Sequence, residues 1–404
     1  WNVLVHSFVY VSYLYPDDYN IMRKIASLIT LENQYDFGTT SRILYFTNGD
    51  ANDWFYGEID TKPSTITFTP EVGSDDDGFW PEIENIIPSC QQCLQMNIQA
   101  ARLAGFYAQI KDQGSVFITE SEGYLPFAIS RIGLTDAPFS LTIVPLGNSF
   151  QSIEGFKQYE SIPQSTWVVD SVYFVLDPEL SPGDRIQYLI HIENDAFQVT
   201  DTITKIYGQE EQIFYDNFDT IDNWVGDAWY LSENAAFSPP YSLSNVSGYY
   251  YSNNMQTFVF LDDTVLLNDA NDLCLNFKAI WDLDGGKDYV KPLYSTDLGQ
   301  TWNPLKGRYT SLISAGEQNI PVYQGEVEQW LDEWIIIPDV LNLPVMIGFS
   351  FESDDATGRL GFYCDDFRLL KSQNLSVDQS LLIAEGWSGI STFLLPEKIN
   401  IEEL

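Results

Sequence analysis

From Ser115 onward the sequence is a series of short segments in which apolar and polar residues alternate, and this pattern constrains the fold most strongly. Successive side chains of a strand point to opposite faces, so the alternation predicts half-buried strands. The clearest segments are residues 139–144, 167–176, 185–192 and 200–206. Short strands separated by turn sequences such as Ser181-Pro182-Gly183-Asp184 indicate a β-sandwich, Ig-like in style, over residues 114–208.

A longer all-β unit is predicted for residues 209–371. It opens with IFYDNFDTIDNW and closes with LGFYCDDFRLL, and first and last strands of this Asp-rich aromatic kind are typical of a jelly-roll. The unit resembles the MAM-like or immune-inhibitor-A-like modules that are appended to secreted bacterial peptidases. Residues 295–302 match the Asp-box pattern S-x-D-x-G-x-T-W, which stabilises a hairpin turn and has no catalytic role.

Clustered carboxylates in this unit predict a possible calcium site. Asp216 in the first strand would converge with Asp365 or Asp366 in the last strand, because these two strands often adjoin in a jelly-roll. Carboxylate oxygens are ligands that Ca²⁺ prefers. The alternative is that these are solvated turn carboxylates, and that alternative is favoured for Asp282 and Asp284, which lack the bidentate Glu of an EF-hand loop.

The first quarter of the chain carries a different set of motifs. An alternating apolar run ends in His6-Ser7, Tyr45 stands eight residues before the Asp of Asp53-Trp54, and a β-type run ends in Phe68-Thr69-Pro70-Glu71. In order and type, these motifs resemble the second half of a zinc carboxypeptidase of the carboxypeptidase A/B/T family.

The resemblance implies a role for each matching residue. His6 would be a zinc ligand, Glu71 the general base that takes a proton from the zinc-bound water, and Tyr45 the residue that covers the substrate. Asp50 and Asn52 lie where the family sets side-chain preference, although an Asp that shapes the Asn48-Gly49-Asp50 loop is an equal alternative. The substrates implied are the C-termini of peptides or proteins.

The resemblance, together with the strand pattern, gives a multidomain organisation. A partial α/β metallocarboxypeptidase domain, with a mixed sheet and a closing helix over residues 88–110, is expected at 1–113. The Ig-like sandwich (114–208), the jelly-roll (209–371) and the truncated start of a further module (372–404, with a GWSGIS motif) follow. The family's first two zinc ligands, a His-x-x-Glu pair, lie upstream of this match, so the Zn²⁺ site is incomplete and the chain alone is expected to be inactive.

The competing hypothesis is a set of β-sandwich binding or adhesion modules attached to an inactive pseudo-peptidase. Their partners would be cell-surface or glycan ligands, and Tyr249-Tyr250-Tyr251 would stack on sugars unless these rings are buried in a strand. Cys90 and Cys93 would be a redox or metal pair or, in the favoured alternative, ordinary helix residues. The sequence does not decide whether Cys274 and Cys364 form a disulfide.

Composition narrows the class of partner. Asp and Glu number 58 against 19 Lys and Arg, which gives a formal charge of −39. A field of that sign disfavours nucleic acids and anionic membrane surfaces. No apolar run is long enough to cross a bilayer. We therefore expect a protein with no nucleic-acid partner and no membrane span. The family resemblance and the style of the β modules imply export to the outside of a bacterial cell.

Overall fold

The computed structural model describes residues 3–6, 16–30, 33, 35–44, 49–73, 80–285, 287–315, 318–355 and 358–373. Tyr45 and the predicted module at 374–404 lie outside these residues. The described chain is mostly β-structure, arranged as sheets stacked face to face. The prediction of a multidomain β-sandwich protein is therefore confirmed, whereas the exact domain boundaries stay predictions.

The first region contains a three-stranded sheet and the four described helices. Its elements are β1 Val3–His6, α1 Pro16–Ile29, β2 Asp36–Thr39, α2 Thr40–Ile43, α3 Ala51–Gly57, β3 Phe68–Glu71 and α4 Ile83–Ala104. Strand β1 lies in the middle, parallel to β2 and antiparallel to β3. Helix α1 buries Met22, Ile25, Ala26 and Ile29 because these residues recur every three or four positions on one helix face.

Helix α4 differs from the predicted helix at both ends. It begins at Ile83 and contains Pro88 in its interior, although a sequence pattern usually places proline at a helix start. It ends at Ala104, before Gly105, and residues 108–112 already form the next strand. Its buried residues include Met96 and Leu103, whereas Leu94 is 56% exposed.

The second region is a sandwich of two sheets. Its strands are β4 Ala108–Asp112, β5 Phe117–Ile118, β6 Glu122–Arg131, β7 Phe139–Leu146, β8 Phe150–Ile153, β9 Phe156–Tyr159, β10 Val168–Leu176, β11 Arg185–Glu193 and β12 Gln198–Tyr207. One sheet has the order β4-β6-β10-β8 and the other β5-β12-β11-β7-β9. Alternate residues of β11 (Ile186, Tyr188, Ile190 and Ile192) are buried between them. His191 points away from this core, with Nδ1 2.7 Å from Thr200 Oγ1.

The third region is a larger sandwich that contains the other strands. These are β13 Glu210–Asp216, β14 Trp224–Asp227, β15 Tyr230–Ser232, β16 Ser242–Ser244, β17 Gln256–Leu261, β18 Val265–Leu266, β19 Leu273–Asp282, β20 Tyr289–Ser295, β21 Asn303–Pro304, β22 Ser311–Ala315, β23 Gln318–Val322, β24 Glu326–Ile337, β25 Pro344–Glu352 and β26 Gly361–Ser372. One sheet has the order β15-β16-β26-β19-β24, with β13 also paired to β26. The facing sheet has the order β14-β17-β25-β20-β21, with β18 also paired to β25.

The Asp-box sequence forms the turn that follows β20. Asp297 accepts hydrogen bonds from the Ser295 hydroxyl (2.7 Å), the Thr301 backbone N–H (2.9 Å) and the Thr301 hydroxyl (2.7 Å). These bonds, led by that from the Thr301 hydroxyl, lower the pKa of Asp297 to about 2. The Trp302 ring packs on Phe258, with centroids 4.8 Å apart. The motif is thus a turn-forming element.

Candidate functional site

The structure does not bring the two expected carboxypeptidase residues together. His6 is the last residue of β1 and pairs with Phe68, whereas Glu71, at the end of β3, pairs with Val3. Because the pairing is antiparallel, the two residues stand at opposite ends of the ladder, roughly 10 Å apart along the strands. Among the described residues, no group of three or more His, Cys, Asp or Glu could hold a metal ion. The described residues thus show no set of zinc ligands, and the zinc role of His6 stays a prediction.

Asp50 and Asn52 lie close together, and both have local structural partners. Asp50 is the N-cap of α3, where its Oδ1 accepts the Asn52 N–H at 2.7 Å and its Oδ2 accepts the Thr40 hydroxyl at 3.0 Å. Asn52 is buried, and its Oδ1 accepts the Thr69 hydroxyl at 3.2 Å. These contacts match the loop-shaping alternative for Asp50.

Asp216, one of the expected calcium ligands, uses both carboxylate oxygens within the protein. Oδ1 accepts the Phe218 N–H at 2.8 Å, and Oδ2 accepts the Asn223 side-chain amide and the Trp224 indole N–H, both at 3.0 Å. Asp216 is 6% exposed, so these donors offset the cost of burying it. The calcium hypothesis stays a prediction, and the contacts seen here hold the loop after β13.

The cysteines are free thiols. Cys274 pairs with Leu370 and Cys364 with Ala279, so the two buried thiols lie at different rungs of the β19–β26 ladder. Burial raises the pKa of both thiols well above the ordinary value, which makes them unreactive. Cys90 is exposed and Cys93 half-buried on α4, with no metal-binding cluster among the described residues around them.

The outward side of the sheet that contains β19, β24 and β26 carries a concentration of aromatic and charged side chains. Odd-numbered residues of β19, from Leu273 to Trp281, are buried in the core, so Asn276 and Lys278 face outward. We call this side the aromatic face. It is defined by Tyr215, Phe237, Lys278, Trp330, Asp332 and Arg368.

An aromatic pair lies at the centre of the aromatic face. The Phe237 and Trp330 rings meet edge to face, with centroids 6.0 Å apart, and Phe237 is 46% exposed. The Lys278 ammonium lies 5.1 Å from the Phe237 centroid and 2.6 Å from Asp332 Oδ1. Lys278, Asn276 and the Trp334 indole all donate to Asp332, and they hold its pKa below the ordinary value against the opposing effect of burial. The face therefore offers exposed rings beside ordered polar groups.

The loop between β15 and β16 brings Phe237 onto this face, and two aspartates of β26 anchor it. Asp365 Oδ2 accepts the backbone N–H groups of Phe237 (2.7 Å) and Ser238 (2.9 Å). Asp366 Oδ2 accepts the Ser238 hydroxyl at 3.0 Å, while its Oδ1 accepts the Tyr215 hydroxyl at 2.7 Å. Two of the expected calcium ligands thus position the aromatic face.

A row of four side chains crosses the same face. Tyr215 pairs with Arg368, Arg368 with Asn276, and Asn276 with Trp334. The Arg368 guanidinium carbon lies 5.6 Å from the Tyr215 ring centroid, a cation–π geometry. Burial, aided by the bond to Asp366, raises the pKa of Tyr215 to about 12, so the phenol stays neutral.

Of the three consecutive tyrosines noted in the sequence, two are exposed. Tyr249 and Tyr250 are 69% and 59% exposed and meet edge to face at 4.8 Å. Tyr251 is buried and donates to Asp288 at 2.6 Å. The exposed pair lies next to the aromatic face, because Asn234, in the same loop as Phe237, donates to the Gly248 carbonyl at 2.6 Å.

The second sandwich covers one end of the face. Val116, Phe117 and Ile206 pack with Cys274 and Leu370, and this apolar cluster also contacts Trp334 and Ile336. Sequence analysis did not identify Phe237, Trp330 or Arg368. The alternation of residues in β24 places Trp330 and Trp334 on the same side of the strand. This pattern could have indicated an aromatic face, but it does not reveal which side of the strand faces solvent.

Comparison with known proteins finds similarity only at the level of structure. No family model matches the chain, and no curated protein matches it. Similar solved structures include the CBM22-1 xylan-binding domain of Paenibacillus barcinonensis Xyn10C (10% identity, TM-score 0.28, 41% of this chain and 99% of that chain). Its CBM22-1–CBM22-2 tandem domain matches at 12% identity and TM-score 0.28 over 66% of this chain and 83% of that chain.

A third similar structure is SGBP-B from a xyloglucan utilisation locus of Bacteroides uniformis, at 13% identity and TM-score 0.25 over 65% of this chain and 73% of that chain. Because the identities and TM-scores are low, the ligand of this chain has to be argued from its own residues.

These findings correct the carboxypeptidase identification. The similar structures are carbohydrate-binding β-sandwich modules and not metallocarboxypeptidases, so the family assignment, the peptidase activity and the zinc hydrolase function are wrong. The partial α/β carboxypeptidase domain expected at 1–113 is not found, and peptide C-termini are not supported as substrates. None of the helices in the described ranges has both the length and the hydrophobicity needed to cross a bilayer.

Proposed function

We propose that the sandwich formed by β13 to β26 binds a glycan on its aromatic face, and that the protein works as a binding module outside the cell. The observation that carries this proposal is the pair formed by the exposed Phe237 and the half-buried Trp330, beside Lys278 and Asp332. The C–H groups of a sugar ring stack on aromatic surfaces, while its hydroxyls need charged or polar partners. The face offers both within one sheet.

The position of the rings supports a binding role over a purely structural one. Core aromatics of this sandwich, such as Phe277 and Phe349, are fully buried, whereas Phe237 keeps nearly half of its surface in solvent. Tyr249 and Tyr250 extend the exposed aromatic surface beside the same loop. Exposed aromatics that cluster on one side of a soluble protein mark an interaction surface.

The first prediction tests this surface directly. We expect Phe237→Ala and Trp330→Ala each to weaken glycan binding about tenfold or more, since each removes a stacking ring worth at least about 1.4 kcal/mol. One similar structure is described as a xylan-binding domain and another comes from a xyloglucan utilisation locus, so xylan and xyloglucan are suitable first probes in affinity electrophoresis. A glycan array extends the search to other sugars.

Phe156→Ala is the matched control, because Phe156 is 63% exposed on the second sandwich, away from the aromatic face. Trp80→Ala, at a 91% exposed tryptophan in the first region, controls for Trp330→Ala. The proposal is overturned if the wild-type chain retains no glycan on the array, or if folded Phe237→Ala and Trp330→Ala variants bind as tightly as the two controls.

A further inference from the structure

We propose that Arg368 makes the aromatic face selective for glycans that carry a carboxylate, with the guanidinium binding the carboxylate of a uronic acid. The inference rests on the glycan-binding function proposed above and names the class of sugar. Its starting point is the place of Arg368 in the row Tyr215–Arg368–Asn276–Trp334, which crosses the outward side of the sheet from the exposed Tyr215 to the end that the second sandwich covers.

Arg368 has no acidic partner among the described residues. Neither a hydrogen bond nor an ion pair joins its guanidinium to the described part of the chain, and its Nε is buried without an acceptor there. Other arginines do have partners within 4.0 Å: Arg23, Arg131, Arg185, Arg308 and Arg359 each contact a carboxylate. The chain has 58 acidic residues, yet none of those described contacts Arg368. A half-buried arginine that lacks a carboxylate partner can bind an acceptor from outside the protein.

The carboxylates closest to Arg368 in the sheet are engaged elsewhere. Asp365 accepts three backbone N–H groups, and Asp366 accepts the hydroxyls of Tyr215 and Ser238. Asp332, two strands away, accepts from Lys278, Asn276 and Trp334. These bonds keep the acids in fixed positions and leave the guanidinium available.

The environment of Arg368 suits a planar anion. The Tyr215 ring lies against the guanidinium, which restricts its orientation, and a guanidinium held in this way can donate two parallel N–H bonds to one carboxylate. Lys278 follows Asn276, the residue opposite Arg368, by two positions on β19, and the register of the β19–β26 pair shifts between them. The Lys278 ammonium lies beside the Phe237 ring, on which an adjacent sugar would stack.

The net charge of the chain further narrows the class of glycan that the aromatic face would bind. A formal charge of −39 repels dense polyanions at long range, whereas a mostly neutral glycan with occasional acidic residues brings little charge with it. We therefore infer a neutral backbone that carries scattered uronic acids, so that its sugar rings contact Phe237 and Trp330 and one carboxylate contacts Arg368.

Isothermal titration of the full chain with each acidic glycan, and with the same glycan after reduction of its carboxyl groups, tests the inference. Glucuronoxylan, a neutral backbone with scattered uronic acids, is the main probe, and galacturonan and alginate, which carry a carboxylate on every sugar, are dense polyanions that should bind more weakly. We expect the wild type to bind one acidic form roughly 10- to 100-fold more tightly than its reduced form. Arg368→Gln should bind both forms equally, at the wild-type affinity for the reduced form, and Arg368→Lys should keep only part of the preference.

Arg102→Gln is the matched control, since Arg102 is an exposed arginine on α4 for which no carboxylate contact is seen in the described chain. Circular dichroism confirms that the variants are folded, and Arg368→Lys keeps the charge and most of the side chain if Arg368→Gln is unstable. Equal wild-type affinity for both forms, or a preference that survives in Arg368→Gln, overturns this inference alone. If no probe binds in either form and the wild-type chain retains no glycan on the array, the proposed glycan-binding function is overturned as well.

Discussion

Asp288 is 1% exposed, and its carboxylate has two donors: the Tyr251 hydroxyl at 2.6 Å and the Asp354 backbone N–H at 2.8 Å. Burial raises its pKa to about 6, and the nearby carboxylates of Asp354 and Asp284 add to the rise, against the lowering effect of the two hydrogen bonds. Asp288 is therefore a carboxyl group of this sandwich whose pKa lies near 6 for a stated structural reason.

The direction of the resulting pH effect follows from proton binding. Between about pH 4 and 6 the folded state holds a proton on Asp288 that the unfolded state has released, so its contribution to stability falls as the pH rises through this window. The full difference is about 3 kcal/mol at most. We expect Asp288→Asn to lose this pH dependence, measured as the wild-type-minus-variant difference in urea unfolding free energy from pH 4 to pH 7.

Asp227→Asn, at an exposed aspartate of β14, is the control for that series. A wild-type-minus-variant difference that does not change between pH 4 and pH 7 would contradict the raised pKa of Asp288.

The limits of sequence prediction at the residue scale are visible in the aspartates of the first and last strands. The expectation that these strands adjoin agrees with the structure, since β13 pairs with β26, whereas a shared calcium site of Asp216, Asp365 and Asp366 stays a prediction. Their donors, however, come from neighbouring side chains and from the loop after β15, which no spacing in the sequence reveals. The pairing of the two strands was predictable, but the groups that these aspartates hold were not.

At the scale of single elements, α4 shows how tertiary contacts override a local signal. Pro88 lies on the sixth position after the Glu82 N-cap, where it cannot donate to the carbonyl four residues earlier. The turn before it still forms, although a start at Pro88 is what the sequence favours. The hydrogen bond that closes this turn runs from the Asn85 N–H to the Glu82 carbonyl at 3.0 Å.

The two helix boundaries, a start at Ile83 and a start at Pro88, predict different effects of replacing Pro88 on stability. If the helix begins at Ile83, Pro88→Ala restores an interior hydrogen bond and should stabilise the protein by about 1–3 kcal/mol. If the helix began at Pro88, the substitution would have almost no effect. Thermal melting followed by circular dichroism measures the change, with Gln91→Ala on the exposed side of the same helix as the control.

The strands were more predictable than the helices and for a simple reason. In β11 and β19 the alternation of apolar and polar residues survives because one side of each strand faces a sandwich core. Strand β3 shows the limit, since alternation gives no direction and does not reveal that β3 pairs antiparallel with β1. That antiparallel pairing places His6 and Glu71 at opposite ends of the ladder.

At the scale of the whole molecule, buried charges join the second and third regions. Asp112 lies 2.6 Å from the Lys205 ammonium and 2.9 Å from Arg308 Nη2, and Arg308 also donates to the Gly114 carbonyl. Arg185 contacts Asp272 and Asp339 at a second point. Together with the apolar cluster around Phe117 and Cys274, these pairs fix how the second sandwich borders the aromatic face.

We expect Arg308→Ala to destabilise the protein by about 2–3 kcal/mol, because the buried Asp112 carboxylate loses one of its two cationic partners and retains Lys205. It should also separate the unfolding of the two sandwiches, seen as a second transition in scanning calorimetry. A double-mutant cycle with Asp112→Asn isolates the pair.

Lys306→Ala provides the comparison, since the Lys306–Asp201 pair at 3.4 Å is exposed and should contribute less than about 1 kcal/mol. Equal effects of Arg308→Ala and Lys306→Ala would contradict a buried linkage between the sandwiches.

The pairing of β13 with β26 also determines how the larger sandwich responds to mechanical force. These are its first and last strands, and Glu210 lies opposite Ser372 at the rung where the chain enters and leaves. A pull on the two ends therefore loads one pair of hydrogen bonds at a time, in an unzipping direction, instead of shearing the whole ladder together. When the chain is anchored on one side and stretched on the other, this edge opens first, and Tyr215 is carried away from Arg368 before the core strands part.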